Sequence, residues 1–218
     1  MKNKGKCLIV LGLLLMAAAL FLTGYNLYEQ QRAKESSRRV MDTLKSYFPP
    51  KALGEGDTKK AQNQQPLPNL EKTAMADYLL YPDMEMPVKT IDGIDYIGVL
   101  QIPALSLELP IISTWSYPNL KIAPCRYSGS AYSSNLILCA HNYPSHFGNL
   151  NKLREGDKAT FTDMDGNVFT YTLVERETLP PDDADTLTAG DWDLTLFTCT
   201  VGGQSRVTLR FALVRGLT

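Results

Sequence analysis

The stretch LTLFTCT, at residues 194–200, combines apolar and β-branched residues and ends on a cysteine and a threonine. This pattern is typical of a buried β-strand. A Gly202-Gly203 turn follows, and a second strand pattern then opens at Ser205-Arg206. Cys199, at the end of the first strand, is either a nucleophile beside a cation or an inert core thiol. The second alternative is common because free cysteine is among the most buried residue types.

The composition excludes some classes of protein. The 218 residues carry 22 basic and 23 acidic side chains, for a formal net charge of −1. This balance argues against a nucleic-acid partner. The chain has only two histidines, so an enzyme that pairs a cysteine with a histidine has few candidates here.

The N-terminus predicts a membrane helix. Three lysines among the first six residues precede an uncharged, mostly apolar run from Cys7 to Thr23, at the low end of the roughly 17–25 residues that span a bilayer. We therefore predict a single-pass anchor over residues 1–24 in the lipid bilayer, with the rest of the chain extracytoplasmic. The alternative is a cleaved signal peptide, which the length of the run and the lack of a small-x-small site before Tyr25 disfavour.

The next segment, residues 25–90, predicts a stalk and a flexible linker. Residues 25–48 are polar and charged, which favours a solvated helical stalk, and residues 51–69 have the composition of a flexible linker. Residues 70–81 fit a short helix. Residues 81–90 lie either over a groove as a lid or on ordinary barrel surface.

The remainder, residues 91–218, predicts one all-β domain. Apolar runs bounded by turn residues recur from Tyr96 onward, and the stretch DMDGN at residues 163–167 is a hairpin turn signal. The final strand pattern, Arg206 to Val214, alternates apolar residues on one face. Seven or eight short strands with few helical stretches favour a barrel or a sandwich.

Three residues could combine into a catalytic site. His141 ends its apolar strand as Cys199 ends its own, and Arg206 opens the strand that follows Cys199 after a short connection. A thiolate is a nucleophile, a guanidinium can hold an oxyanion, and an imidazole can protonate a leaving amine. Taken alone, His141 also fits a hydrogen-bonded strand-end histidine, and Arg206 fits a solvated charge.

The other candidate side chains favour ordinary roles. His146 is expected in a loop or on a groove wall, and Arg210 is expected to be solvated on the strand face that it shares with Arg206. A Cys125–Cys139 disulfide remains open. The spacing of the cysteines and histidines matches no common zinc module, so we predict no metal site.

Together these residues resemble the sortases of Gram-positive bacteria. Thr195 to Cys199 is similar to the family's T-L-x-T-C motif, Ala140-His141 is similar to its catalytic histidine segment, and Arg206 matches its catalytic arginine. Two further stretches are similar to family segments: Ile97 to Pro103, in the first strand, and Phe147 to Leu153, after the histidine.

The resemblance implies a sortase-like closed β-barrel of seven to eight strands with short helices, preceded by the transmembrane helix. It implies a cysteine transpeptidase with Cys199, His141 and Arg206 as catalytic residues, and we expect Thr198 and His146 to contact the substrate. The implied partners are secreted proteins with a C-terminal sorting signal of the L-P-x-T-G kind and an amine of a cell-wall precursor or a pilin. No metal or organic cofactor is implied for the chemical step.

Departures from the family pattern leave the class unassigned. Ala140 stands where a glycine often precedes the histidine, and the segment from Val174 to Asp193 is short for the helical insertion of class B sortases. The C-terminal span usual in class C is not seen. Two rivals stay open: an L,D-type cell-wall transpeptidase, expected to carry glycine where Thr198 stands, and a non-catalytic surface-adhesion domain.

Overall fold

The computed structural model describes residues 2–48 and 76–215, and within them it has four α-helices and nine β-strands. The linker predicted over residues 51–69 lies outside the described residues. The helices are α1 (Lys2–Lys45), α2 (Asp77–Leu80), α3 (Tyr117–Leu120) and α4 (Ala184–Thr188). The strands are β1 (Lys89–Ile91), β2 (Ile94–Ile102), β3 (Leu107–Ile112), β4 (Cys125–Ser128), β5 (Leu136–Ala140), β6 (Lys158–Asp163), β7 (Val168–Leu179), β8 (Leu194–Cys199) and β9 (Arg206–Leu213).

Eight of the strands close into a barrel. Their order is β2-β3-β4-β5-β8-β9-β7-β6, and β6 pairs back with β2, while β1 adds only a short hairpin partner to β2. The β3–β4 and β5–β8 pairs are parallel and the other pairs are antiparallel. The predicted all-β class and the closed barrel of seven to eight strands are confirmed.

Gly98 permits the closure of the barrel. It pairs with Asp163 of β6 and with Ile111 of β3. A Cβ atom at this position would lie 2.3 Å from the carbonyl oxygen of Thr162 and 2.6 Å from the ring of Phe161. Any larger residue would therefore force β2 and β6 apart.

The barrel interior is filled by one apolar cluster. The strands contribute fully buried side chains at alternate positions, as the two-residue period of a strand requires. Examples are Leu100, Phe161, Leu196, Leu209 and Phe211, all without solvent exposure. The burial of this layer supplies the main driving force for folding, at about 25 cal/mol per Å² of apolar surface.

A second cluster joins the C-terminal part of α1 to the outside of the barrel. One face of the helix buries residues at spacings of three and four, which is the period of an α-helix; they are Ala33, Ser37, Val40, Met41 and Leu44, and Phe48 is buried just after the helix ends. Val40, Met41, Leu44 and Phe48 belong to one cluster with barrel residues that include Tyr96, Val99, Ile112, Cys125 and Cys139. The solvated stalk expected from the charges here describes only the opposite face of the helix.

The first half of α1 is a candidate membrane span. The helix contains a window with a mean hydropathy of 2.4 whose side chains are all exposed, so it is long and apolar enough to cross a bilayer. The helix continues from Gly24 to Ala33 without interruption. At 1.5 Å per residue, about 15 Å of helix separates the end of the apolar run at Thr23 from Ala33, the first buried residue of α1.

The segment before β1 lies against the side of the barrel. Within the described part of the predicted helix at residues 70–81, α2 is helical, and Tyr78 stacks on Tyr132 with ring centroids 4.7 Å apart. Met86 is buried in the interior cluster. These contacts attach residues 76–88 to the barrel wall.

Candidate active site

The parallel pairing of β5 with β8 brings His141 and Cys199 to one rim. Leu136 pairs with Leu194 at one end of the ladder and Ala140 pairs with Thr198 at the other. His141 and Cys199 are the next residues on the two strands. Because carboxyl ends of neighbouring parallel strands lie at the same edge, the two candidate catalytic residues are neighbours despite their separation in sequence.

The antiparallel pairing of β8 with β9 adds the arginine. Cys199, the last residue of β8, pairs with Arg206, the first residue of β9. Gly202 and Gly203 make the connection with φ angles of 87° and 75°, a region that glycine enters without steric cost. The Gly202-Gly203 pair thus allows the chain to return at once beside the cysteine.

The three residues line one cleft of about 260 Å³. Its other lining side chains are mostly apolar, and the Tyr127 ring lies between two other aromatic rings: it is 5.9 Å from the Trp115 ring and 5.4 Å from the Phe197 ring. Further lining residues come from the end of β7 and from the β7–β8 connection, which contains α4: Leu179, Pro180, Pro181, Asp182, Asp183, Ala184 and Leu187. The cleft can therefore hold an extended peptide with apolar side chains beside the thiol.

Thr198 connects the two strands that carry the cysteine and the histidine. Its side chain is 4% exposed, and its Oγ1 donates a hydrogen bond of 2.8 Å to the carbonyl oxygen of Ala140. Thr198 also lines the cleft. The hydroxyl thus fixes the register at the rim, one residue before both Cys199 and His141.

The guanidinium of Arg206 is held at the rim by its own turn. Its Nη1 donates to the carbonyl oxygens of Gly203, at 3.1 Å, and Ser205, at 3.2 Å. A guanidinium carries five N–H donors. The bonds to Gly203 and Ser205 therefore orient the side chain, and the remaining N–H groups are free to bind an anion in the cleft.

His141 lies half-buried between the cleft and α1. Burial and the nearby Lys121 ammonium lower the pKa of His141, while the Glu29 carboxylate on α1 acts in the opposite direction. Glu29 and Lys121 are themselves paired, with Nζ and Oε2 3.6 Å apart. The ring also packs on Tyr143, with centroids 4.9 Å apart.

His146 lies away from the cleft. The side chain has no solvent exposure, and it is held beneath α1 with Nε2 3.2 Å from Oγ of Ser37. This position does not fit the contact with substrate expected for His146. The sequence places the residue near His141, and nothing in it indicates that a helix from the N-terminus covers this loop.

Arg210 was expected to be solvated, and that prediction is wrong. The side chain is 2% exposed and makes four hydrogen bonds. It donates to Glu177 on β7, to Thr195 on β8, and to the carbonyl oxygens of Thr186 and Leu187 in α4. Arg210 therefore fastens α4, which forms a wall of the cleft, to the barrel.

The other two described thiols are not joined. Cys125 and Cys139 occupy opposite positions on β4 and β5, and both are free and buried. Burial raises the pKa of Cys139 to about 12, and burial likewise raises the pKa of Cys125. Both are therefore protonated at neutral pH. Cys139 also lines the cleft.

A single glycine shapes the loop after His141. A Cβ atom at Gly148 would lie 2.3 Å from the carbonyl oxygen of Asn142. The loop can therefore fold back on itself only with glycine here.

Within the described part of the chain, none of residues 81–90 lines the cleft, so the structure does not place the candidate lid there.

Comparisons with known proteins give the following. The family profile described as "Sortase domain" matches residues 100–214. The chain is similar to the crystal structure of sortase C1 from Streptococcus agalactiae, with 25% identity, a TM-score of 0.50, and coverage of 66% of this chain and 79% of that one. It is also similar to a sortase D5 transpeptidase of Clostridium perfringens, with 21% identity, a TM-score of 0.51, and coverage of 64% and 88%.

A third solved structure, a pilus-related sortase C of Group B Streptococcus, has 24% identity and a TM-score of 0.48, with coverage of 55% of this chain and 68% of that one. The comparison with curated protein sequences found no match.

Proposed function

Because the chain belongs to the sortase family of cysteine transpeptidases, we propose that Cys199, His141 and Arg206 are the residues that carry out its acyl transfer. One observation carries this proposal: the three side chains line a single cleft at the ends of β5, β8 and the start of β9. The proposed substrate is a secreted protein with a C-terminal sorting signal of the L-P-x-T-G kind.

The first step is attack by sulfur. The thiolate of Cys199 adds to the carbonyl carbon of a Thr–Gly-like peptide bond, and the carbonyl electrons move to oxygen. The guanidinium of Arg206 donates hydrogen bonds to this oxyanion, aided by backbone N–H groups beside Thr198. The support is the direct pairing of Cys199 with Arg206 across the two strands.

The second step expels the amine. The C–N bond breaks, His141 gives a proton to the departing glycine nitrogen, and a thioester to Cys199 remains. An incoming amine then gives a proton to His141 as its nitrogen attacks the thioester carbon, so that a new amide forms and the thiolate returns. The amine comes from a cell-wall precursor or from a pilin lysine.

The cleft wall supports a peptide substrate. Apolar and aromatic side chains from β4, β8 and the β7–β8 connection lie beside the thiol, where they can bury the leucine and proline of a sorting signal. Since such burial contributes roughly 1–3 kcal/mol for each side chain, the wall can discriminate between peptides before the chemical step.

The first half of α1 is proposed to anchor the enzyme. Residues 1–24 would cross the bilayer once, with the basic end in the cytoplasm and the barrel outside. The support is an apolar, exposed helix near the N-terminus. In this arrangement residues 25–90 connect the anchor to a catalytic domain at residues 91–218.

The decisive experiment is a peptide-library assay. The full-length protein in detergent micelles is incubated with fluorogenic peptides of the L-P-x-T-G kind and an added oligoglycine amine, and cleavage and ligation are both measured. Cys199→Ala is expected to abolish both. Cys139→Ala is the matched control, because it removes a second thiol from the same cleft, and it is expected to keep turnover.

Mass spectrometry adds a direct readout. Wild-type protein quenched during turnover is expected to carry the acyl fragment on the tryptic peptide that contains Cys199. Substantial turnover by Cys199→Ala, or an acyl group on another residue, would exclude the proposed nucleophile. A wild-type protein that neither cleaves any library member nor reacts with a thiol-directed electrophile would favour a non-catalytic surface domain.

A further inference from the structure

Ser37 is a polar residue in the buried stripe of α1. The side chain is 4% exposed, and its Oγ makes two contacts that leave the helix. It donates a hydrogen bond of 2.7 Å to the carbonyl oxygen of Ile122, and it lies 3.2 Å from Nε2 of His146. The serine therefore bridges two segments of the barrel that are far apart in sequence.

The direction of the second bond follows from the first. A serine hydroxyl has one hydrogen, and the carbonyl oxygen of Ile122 is only an acceptor. Ser37 must donate to Ile122, so His146 Nε2–H must donate to Ser37. Burial, with the nearby His141, lowers the pKa of His146 to about 4, which fits this neutral ring.

The loop that carries His146 also carries His141. The amide of Phe147 donates to the carbonyl oxygen of His141 at 3.2 Å, and the amide of His146 donates to Tyr143 at 2.9 Å. The Tyr143 ring lies between the two histidine rings, 4.9 Å from one and 5.7 Å from the other. A displacement of His146 would therefore reach His141 through a short chain of contacts.

The same helix holds the other side of His141. Ile122, which accepts the bond from Ser37, follows Lys121, and Lys121 pairs with Glu29 two turns earlier on α1. Ser37 and Glu29 thus attach α1 to both segments that flank His141.

We propose that Ser37 is a positioning residue for catalysis: through its bonds to His146 and Ile122, α1 fixes the loop that sets the place of His141. The inference rests on the proposed role of His141 as general acid and base. It assigns the positioning role to the Ser37 contacts alone, and not to the apolar residues of α1 that pack on the barrel. The physical reason is that a displacement of about 1 Å at a proton donor can cost up to about 10²-fold in rate.

The test compares two α1 variants of the full-length protein in detergent micelles. Ser37→Ala removes both bonds and little volume. Met41 lies one turn further along the same buried face and packs on the barrel, with no hydrogen bond to the histidine loop. Met41→Ala therefore removes apolar contact only. Steady-state kinetics are corrected for folded fraction, and hydrogen–deuterium exchange is followed over residues 141–148.

Ser37→Ala is expected to lower kcat about tenfold with KM within about twofold, because the loop moves but the cleft wall does not. Its loop amides are expected to exchange about tenfold faster. Met41→Ala is expected to lower Tm at least as much, with kcat and loop exchange unchanged. Wild-type kcat in Ser37→Ala, equal losses in the two variants, or a loss of kcat without faster loop exchange would each overturn the proposal.

A second pair of variants tests the same contact from the His146 side, in case Ser37→Ala does not fold. His146→Gln keeps an N–H donor at a position close to Nε2, and His146→Phe fills the space without a donor. The glutamine variant is expected to retain most of kcat and the phenylalanine variant to match Ser37→Ala; equal activities in the two would contradict the inference.

If wild type itself has no activity on the peptide library, the proposed function fails, while loop exchange still reports whether Ser37 holds the loop.

Discussion

Cys199 and Arg206 are directly paired across β8 and β9, at the end of the hairpin next to the turn. No residue of either strand separates them from the turn, whose backbone carbonyls at Gly203 and Ser205 hold the guanidinium. The nucleophile and the proposed oxyanion donor therefore share one short, glycine-containing element of structure. Their spacing is fixed by the hairpin alone, whereas the histidine comes from a different part of the chain.

Arg206→Lys tests the oxyanion role. The lysine keeps the charge but loses the planar fork of donors, so kcat/KM should fall by about 10²-fold. Arg154→Lys, an exposed arginine in a loop, is the control and should leave kcat/KM unchanged. Thioester formation followed by stopped-flow quench would show which step slows; a wild-type acylation rate in Arg206→Lys would remove Arg206 from that step.

Thr198→Val tests the bridge between β5 and β8. Valine keeps the shape but loses the bond to the carbonyl oxygen of Ala140, so the free energy of unfolding should fall by about 1–2 kcal/mol, and kcat should fall with it. Thr162→Val is the matched control, because the buried Oγ1 of Thr162 has no hydrogen-bond partner among the described residues. Urea unfolding of both variants is the measurement, and an equal change in the two would contradict the bridging role.

Arg210→Lys tests the cleft wall. Lysine cannot reproduce the four bonds that tie α4 to β7 and β8, so Leu187 and its neighbours should loosen. We expect KM for the sorting peptide to rise about tenfold and the free energy of unfolding to fall by about 3 kcal/mol, since a buried charge loses its partners. Arg176→Lys, which affects one bond to the carbonyl oxygen of Asn151, should leave KM unaltered.

Glu29 and Lys121 should shift the pKa of His141 in opposite directions. Lys121 lowers the pKa and Glu29 raises it, so Lys121→Gln should raise the pKa of His141 and Glu29→Gln should lower it further. The removal of one partner also leaves the other unneutralised, which adds to each shift. Tyr143 and His146 face the ring as well, but with a raised tyrosine pKa and a histidine pKa of about 4 both stay neutral near pH 7.

The readout of this pair is the NMR titration of the His141 ring, together with the pH profile of kcat/KM. If protonated His141 is required, the alkaline limb should move to higher pH in Lys121→Gln and to lower pH in Glu29→Gln. Lys158→Gln, at the start of β6, is the control and should shift neither. Shifts of the same sign in the two variants would show that α1 does not act on His141 through these charges.

Much of the barrel was predictable because the sequence pattern of a strand depends only on residues close together in the chain. The runs that end at His141 and Cys199 are apolar and β-branched, and each is found as β5 or β8 within a residue or two. The family pattern around Cys199 was likewise legible in the sequence. Both depend only on neighbouring residues, so no tertiary information was needed.

The misjudged residues are those whose partners lie far away in the chain. From its sequence position Arg210 resembles a solvated strand charge, but α4 covers it. His146 likewise resembles a groove-wall residue, but it contacts Ser37, which is 109 positions away in the chain. For α1, the abundance of charge suggested a solvated stalk. The face that packs on the barrel is narrow and contains a serine, so it is inconspicuous among the charges.

The sequence by itself determined the strands, the apolar N-terminal run, and the supply of one thiol, one histidine and one arginine at strand ends. Only the tertiary structure decided that β5 lies beside β8, that Arg206 and not Arg210 lines the cleft, and that α1 covers the histidine loop. The physical reason is range. Periodicity and turn chemistry act between residues a few positions apart, whereas burial and hydrogen-bond partners are set when distant elements pack together.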